Sequence, residues 1–256
     1  MAGQMPLWLL IVLLLAAMVA AYEAGMRLHP RLRSRADATK RDSSDESHSL
    51  SGVFGLLALL MAFAFSLALD RYEERRALVT AEANALGTFA TRLALLPEAD
   101  RAPVQRQLEG YARARLAVGL AEDGAAERLA HAVALHDLLG ADLYAALARI
   151  PFDARTTLLA QSFDALGDVA TERHAARSAR LPNAVLALLV LYCVAGAGLL
   201  GYTVAASGAR HRTSAALFFL LLALAFATVL DLDRPRGGVI MVSQDEMAAA
   251  IARLGS

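Results

Sequence analysis

His131, His136 and Asp137 are the residues whose types come closest to a metal-ligating or proton-transferring set. On a helix a five-residue spacing turns two side chains roughly 140° apart, so the histidines are expected to be solvated or bonded locally and not to share a metal. Cys193 is the single cysteine; it rules out an intramolecular disulfide and, inside an apolar stretch, predicts a buried, inert thiol. The chain has no Walker loop, dinucleotide fingerprint, HExxH pair, paired CxxC or GxSxG elbow. The expectation is a non-enzyme, with no catalytic, cofactor-binding or metal-binding residues.

Two charged motifs are better candidates for a functional role. Asp70-Arg71-Tyr72-Glu73-Glu74-Arg75-Arg76 follows one long apolar run without a break, and Asp231-Leu232-Asp233-Arg234-Pro235-Arg236-Gly237-Gly238 follows another. Asp70, Arg71, Glu73, Arg75, Asp231, Asp233 and Arg234 have two readings. They are interfacial anchors, with arginines snorkelling and Tyr72 at headgroup depth, or they form a ring of charges or a salt-bridge lock at a pore mouth.

The elements that must position these motifs follow from composition. Of 256 residues, 57% are apolar, and 25 basic residues balance 25 acidic ones. That balance argues against a nucleic-acid partner, whose phosphates would call for a basic surplus. Residues 5–22, 50–69, 182–206 and 213–230 carry no charge and suit a hydrocarbon core of ~30 Å. The first run lacks the basic n-region and small-residue cleavage site of a signal peptide, so it reads as a retained helix. Ala195, Gly196, Ala197, Gly198 and Gly201 cluster in the third. They either allow close approach of a neighbouring helix or reflect ordinary membrane-helix composition.

The fold class is therefore all-α: a polytopic membrane protein of four transmembrane helices in two hairpins, with a helical-bundle insert between the second and third. Residues 1–70 form the first hairpin, 71–181 a soluble helical domain, 182–231 the second hairpin and 232–256 a C-terminal tail. Residues 27–48 read as a polar loop, and 207–212 as a short turn holding Gly208, Arg210 and Arg212. Within the insert, Pro97, Pro103 and Pro151, with Gly124 and Gly140 as weaker breaks, divide helices. Tyr72, Val79, Leu86 and Leu93 recur every seven residues, with Ala83 and Ala90 between, as a packing stripe on a helix continuing out of the second span. Further helices are predicted near 103–120, 125–148 and 152–180, the last leading straight into the third span. Lys and Arg near the span ends are equally numerous on both sides, so the positive-inside rule leaves orientation open.

The run from Phe63 through Ser66-Leu67-Ala68-Leu69-Asp70-Arg71-Tyr72-Glu73-Glu74-Arg75-Arg76 to Glu82-Ala83-Asn84-Ala85-Leu86-Gly87 resembles the bestrophin-like family of prokaryotic membrane proteins. Asp231-Leu232-Asp233-Arg234-Pro235 with Val242-Ser243-Gln244 carries the same resemblance. Remote similarity to true bestrophins implies a pentameric anion channel lined by the second span, with small anions, membrane lipid and further copies of the chain as partners. Leu56, Leu59, Phe63 and Leu60 share a face at spacings of three and four. In a ring of subunits that face would form a dewetting pore neck; it could equally face lipid or a neighbouring helix. The sequence departs from the bestrophin pattern where an aromatic pair is reduced to Tyr72 and an acidic cluster to Asp231 and Asp233. The expected location is a bacterial inner membrane. The alternative is a membrane-anchored helical sensory or binding module acting through a partner protein.

Overall fold

The computed structural model describes residues 6–33, 43–121, 124–207 and 212–255. Its helices are α1 (Leu7–Arg33), α2 (Ser43–Arg92), a 3-10 turn (Leu93–Leu95), α3 (Glu98–Leu120), α4 (Ala125–Leu147), α5 (Ala154–Ser178), α6 (Asn183–Ser207), α7 (Arg212–Asp233) and α8 (Asp245–Leu254). No strand occurs among the described residues. Four helical stretches, within Leu7–Leu28, Leu50–Leu95, Ala154–Ala206 and Arg212–Asp233, are long and apolar enough to cross a membrane. The chain is an all-α, multi-pass membrane protein. It divides into two compact units: Met1–Asp70 with Arg180–Arg234, and Arg71–Ala179 with Pro235–Ser256.

In the first unit α1 packs on α6 and α7. Nothing hydrophobic distinguishes helix from lipid in a bilayer, so close shape-matching must hold such helices together. Glycines provide it: a Cβ at Gly201 would overlap the Tyr22 carbonyl, and one at Gly25 would overlap the Gly198 carbonyl. Of the two readings of the small-residue cluster, the structure selects close approach. Met18, Leu189, Cys193, Ala197 and Phe219 are buried around this contact, and Tyr22 meets Phe219 edge-on at 5.7 Å. Glu23 and Arg212 form an ion pair at 3.3 Å.

The second unit has an apolar core of Leu86, Phe89, Leu93, Leu108, Tyr111, Leu139, Leu143, Leu159, Leu166 and Met247. The seven-residue stripe enters it, with Val79, Leu86 and Leu93 all buried. Asp153 starts α5 with a capping box, accepting from the Arg155 and Thr156 amides while the Thr156 hydroxyl accepts from its own.

Several sequence expectations need correction. The supposed loop 27–48 is helical at both ends, because α1 runs on to Arg33 and α2 starts at Ser43; residues 34–42 lie outside the described residues. So do Met5, Gly208 and Arg210, while Arg212 opens α7. Helix α3 begins at Glu98 and not near Pro103. Glu98 and Asp100 favour its N-terminal dipole, and Pro103 forfeits one hydrogen bond without ending it. Gly140 does not break α4; it leaves room for the Phe163 ring, whose tip would lie 2.9 Å from a Cβ there. Finally, α5 does not run straight into α6. Ala179 is extended and α6 starts after Pro182, which disfavours helix in the residue before it.

Candidate functional site

The apolar part of α2 shows three faces, set by its period of 3.6 residues. Leu57, Met61, Ala64 and Ala68 are buried. Phe54, Ala58, Ala62 and Phe65 join Phe218, Leu222 and Ala225 of α7 around an apolar cleft, with Phe54 and Phe218 edge-to-face at 5.0 Å. The remaining face carries Leu56 and Leu59, each 51% exposed, and Phe63, 60% exposed. Leu60 lies at its edge, half-buried. Gly52, Ser66 and Asp70 continue that face and are also exposed.

The charged motif residues separate by environment. Asp70 and Glu73 are exposed, Arg71 and Arg234 half-buried, and Arg75, Asp231 and Asp233 buried. In the first unit Asp233 Oδ1 accepts the Leu181 amide at 2.8 Å, and its backbone carbonyl accepts from Arg180 Nη1 at 3.3 Å. The Asp233 carboxylate thus lies at the approach to the α6 N-terminus, where negative charge suits the helix dipole. The Arg234 amide closes α7 onto the Leu230 and Asp231 carbonyls, both at 3.2 Å. In the second unit Arg75 Nε donates to the Arg71 carbonyl at 3.0 Å. Asp231 and Asp233 are therefore buried side chains.

A buried polar network in the second unit was not anticipated as a site. Glu82 is completely buried; its carboxylate accepts from Arg115 Nε and Arg173 Nη1. Arg173 also donates to Gln244 Oε1 at 2.5 Å, Gln244 donates to the Val242 carbonyl at 3.2 Å, and Arg115 donates to the Ala170 carbonyl at 3.1 Å. Burial by itself would lower the Arg115 pKa, but the Glu82 charge and hydrogen bond raise it above its ordinary value. Gly119 makes room, because a Cβ there would overlap Gln244 Oε1 and crowd Arg173 Nη2. Arg177 donates to the carbonyls of Val118 and of Ala121 at the end of α3, a favoured place for a cation. With Arg75 and Arg236, Arg173 and Arg177 line a small cleft of this unit. Glu82 and Gln244 sit in the stretches that carry the family resemblance; nothing in the sequence marked Arg115 or Arg173 as their partners.

Among the described residues no group of three His, Cys, Asp or Glu side chains is placed to hold a metal. His131 is exposed, and His136 stacks on Phe163 with ring centroids 4.5 Å apart. Burial lowers the His136 pKa, against a smaller opposing pull from Asp137. Cys193 is fully buried in α6.

Residues 47–247 match the model of the Bestrophin-like domain, and the chain belongs to that family. No curated protein matches the sequence. Among solved structures, the fold is similar to that of a bacterial bestrophin homolog from Klebsiella pneumoniae. Against one single-site mutant of that protein the TM-score is 0.71, at 16% identity over 99% of this chain and 97% of that one. Against a second mutant it is 0.68, at 17% identity over 95% and 97%. Against the form solved by Zn-SAD phasing it is 0.67, at 17% identity over 95% of each chain. At these identities the likeness is one of fold.

Proposed function

We propose that this member of the Bestrophin-like family assembles into a homo-oligomeric ring that conducts ions along the exposed face of α2. The supporting observation is the composition of that face. The exposed faces of α6 and α7 present Leu188, Leu191, Leu217, Leu220, Leu221 and Leu224, as a lipid contact would. On α2, the exposed Leu56, Leu59 and Phe63 are continued by exposed Gly52, Ser66 and Asp70. A carboxylate is poorly placed in hydrocarbon, and an apolar ring beside polar groups is how a dewetting constriction is built. A rotationally closed ring would bring one copy of the face from each subunit to the axis. Leu56, Leu59 and Phe63 then form the neck, Leu60 packs at its edge between subunits, and Asp70 supplies one mouth charge.

The family resemblance points to small anions as the permeant species, and Asp70 opposes them electrostatically. Asp70→Asn should therefore raise the anion share of the current. The buried Arg75, Asp231 and Asp233 and the half-buried Arg71 and Arg234 act in this reading as framework, holding helix ends in place. The location that goes with it is a bacterial inner membrane.

The test is ion flux from liposomes containing the purified protein, with the oligomeric state measured on the same sample. A conducting oligomer whose flux rises in Phe63→Ala, as the neck widens and wets, is the expected result. A monomer without flux, or flux indifferent to Phe63→Ala and Leu59→Ala alike, would sink the proposal.

A further inference from the structure

A cavity of about 520 Å³ opens between α3, α4 and α5 of the second unit, within the size range of small-molecule sites. Two buried polar atoms in its wall, the Tyr111 hydroxyl and His136 Nε2, have no hydrogen-bond partner. Tyr111 is only 1% exposed. Buried polar atoms are nearly always paired, so two in one cavity wall mark a place that a molecule from outside completes.

The chemistry of the wall says what kind of molecule. His136 Nδ1 faces Asp137 Oδ1 at 3.9 Å, and Nε2 of the neutral ring can accept a hydrogen bond. Asp164 and Asp168, four residues apart on α5 and so on one face, add two exposed carboxylates. Two of the cavity's donors are already committed, leaving the Tyr111 hydroxyl and the exposed His174. Arg115 is turned to Glu82 and to the Ala170 carbonyl, and the Thr171 hydroxyl donates to the Gly167 carbonyl at 2.9 Å. Phe163 and Val133 supply apolar surface. Gly167 lets α5 pack close to the His136 ring, since a Cβ there would lie 3.1 Å from Nε2. What remains is an acceptor-rich, net-negative wall beside an aromatic one.

We propose that this cavity binds a small organic amine in its protonated form. The ammonium N–H groups donate to Asp164, Asp168 and His136 Nε2, the Tyr111 hydroxyl completes the polar contacts, and the hydrocarbon part lies against Phe163 and Val133. This assignment stands independently of whether the chain conducts ions.

Calorimetric titration of the full-length protein in detergent tests it, using phenethylamine and putrescine as probes and phenethyl alcohol as the neutral counterpart. At least one amine should bind, at least about tenfold more tightly than the alcohol, as charge-assisted hydrogen bonds require. Asp164→Asn with Asp168→Asn, both at exposed positions, should weaken that amine by about tenfold or more. Tyr111→Phe should also weaken it. Because that substitution removes an unsatisfied buried hydroxyl, it should leave the melting temperature unchanged or higher, which a purely structural hydroxyl would not do. Failure of both amines to bind, equal binding of amine and alcohol, or amine affinity indifferent to these variants would overturn the proposal.

Discussion

Where α1 meets α6, the contact is glycine against backbone; where α3 and α5 meet the second-unit part of α2, it is one carboxylate against two guanidiniums. The first unit joins helices whose outer faces are as apolar as lipid, so burial offers no preference for helix over solvent. Close approach does, which is why Gly25, Gly198 and Gly201 are found at the crossing. The second unit has an ordinary apolar core built around Leu86, Leu108 and Leu139, and it also buries Glu82 between Arg115 and Arg173. Such a triad adds little net stability over a well-packed apolar replacement, but it is intolerant of losing one member. Packing in one unit thus fails by collision, and in the other by leaving a charge alone.

The largest expected effect tests the charged side of that contrast. Glu82→Ala leaves two buried guanidiniums without their carboxylate and should destabilise the second unit by about 3–5 kcal/mol. Thermal unfolding followed by circular dichroism would read it. Glu82→Gln keeps the shape and loses the charge; a stability equal to wild type would mean that packing, not charge, holds α2, α3 and α5 together. Next comes collision. Gly201→Val places a branched side chain against the Tyr22 carbonyl and should cost about 1–3 kcal/mol. The loss should appear in the detergent stability of the first unit and leave that of the second unchanged. Gly196→Ala, which meets only the edge of the Phe54 ring at 3.1 Å, should cost less.

A smaller effect is expected at the α6 entrance. Asp233→Asn keeps an acceptor for the Leu181 amide and removes the charge, which should cost about 1 kcal/mol by the helix-dipole argument. The smallest effect is a pH dependence. The folded protein holds His136 below its ordinary pKa of 6.5 through burial, so the unfolded chain binds that proton more readily. The stabilising contribution is complete above about pH 6.5 and is lost as pH falls through that value toward the lower folded pKa. His136→Phe should flatten this part of the stability–pH curve of the second unit.

What the sequence made legible divides along the same line. The four apolar spans, the helical insert and the stripe of Val79, Leu86 and Leu93 depend on local periodicity, which a single chain displays. The partners of Glu82 lie 33 and 91 residues away, and no local pattern ties an arginine to a carboxylate at that distance. Burial of Asp231 and Asp233 was hidden for a related reason: charge directly after a span looks the same whether it faces headgroups or supports a neighbouring helix. Helix α8 is short, and its buried Met247, Ala250 and Leu254 give too few repeats to announce a helix in a tail. The apolar side of α2 was readable as a face, but its exposure and its continuation by Asp70 became informative only beside the uncharged, leucine-rich faces of α6 and α7.

In the proposed channel the α2 face lines water and the α6 and α7 faces do not. Single cysteines at Leu56, Leu59 and Phe63, and as controls at Leu191 and Leu220, introduced with Cys193→Ala, can be treated with a charged, membrane-impermeant thiosulfonate in flux-competent liposomes. Modification and altered flux are expected at the three α2 positions and none at the two controls. Unreactive α2 cysteines in a conducting protein, or equal reaction at Leu191 and Leu220, would contradict the proposal.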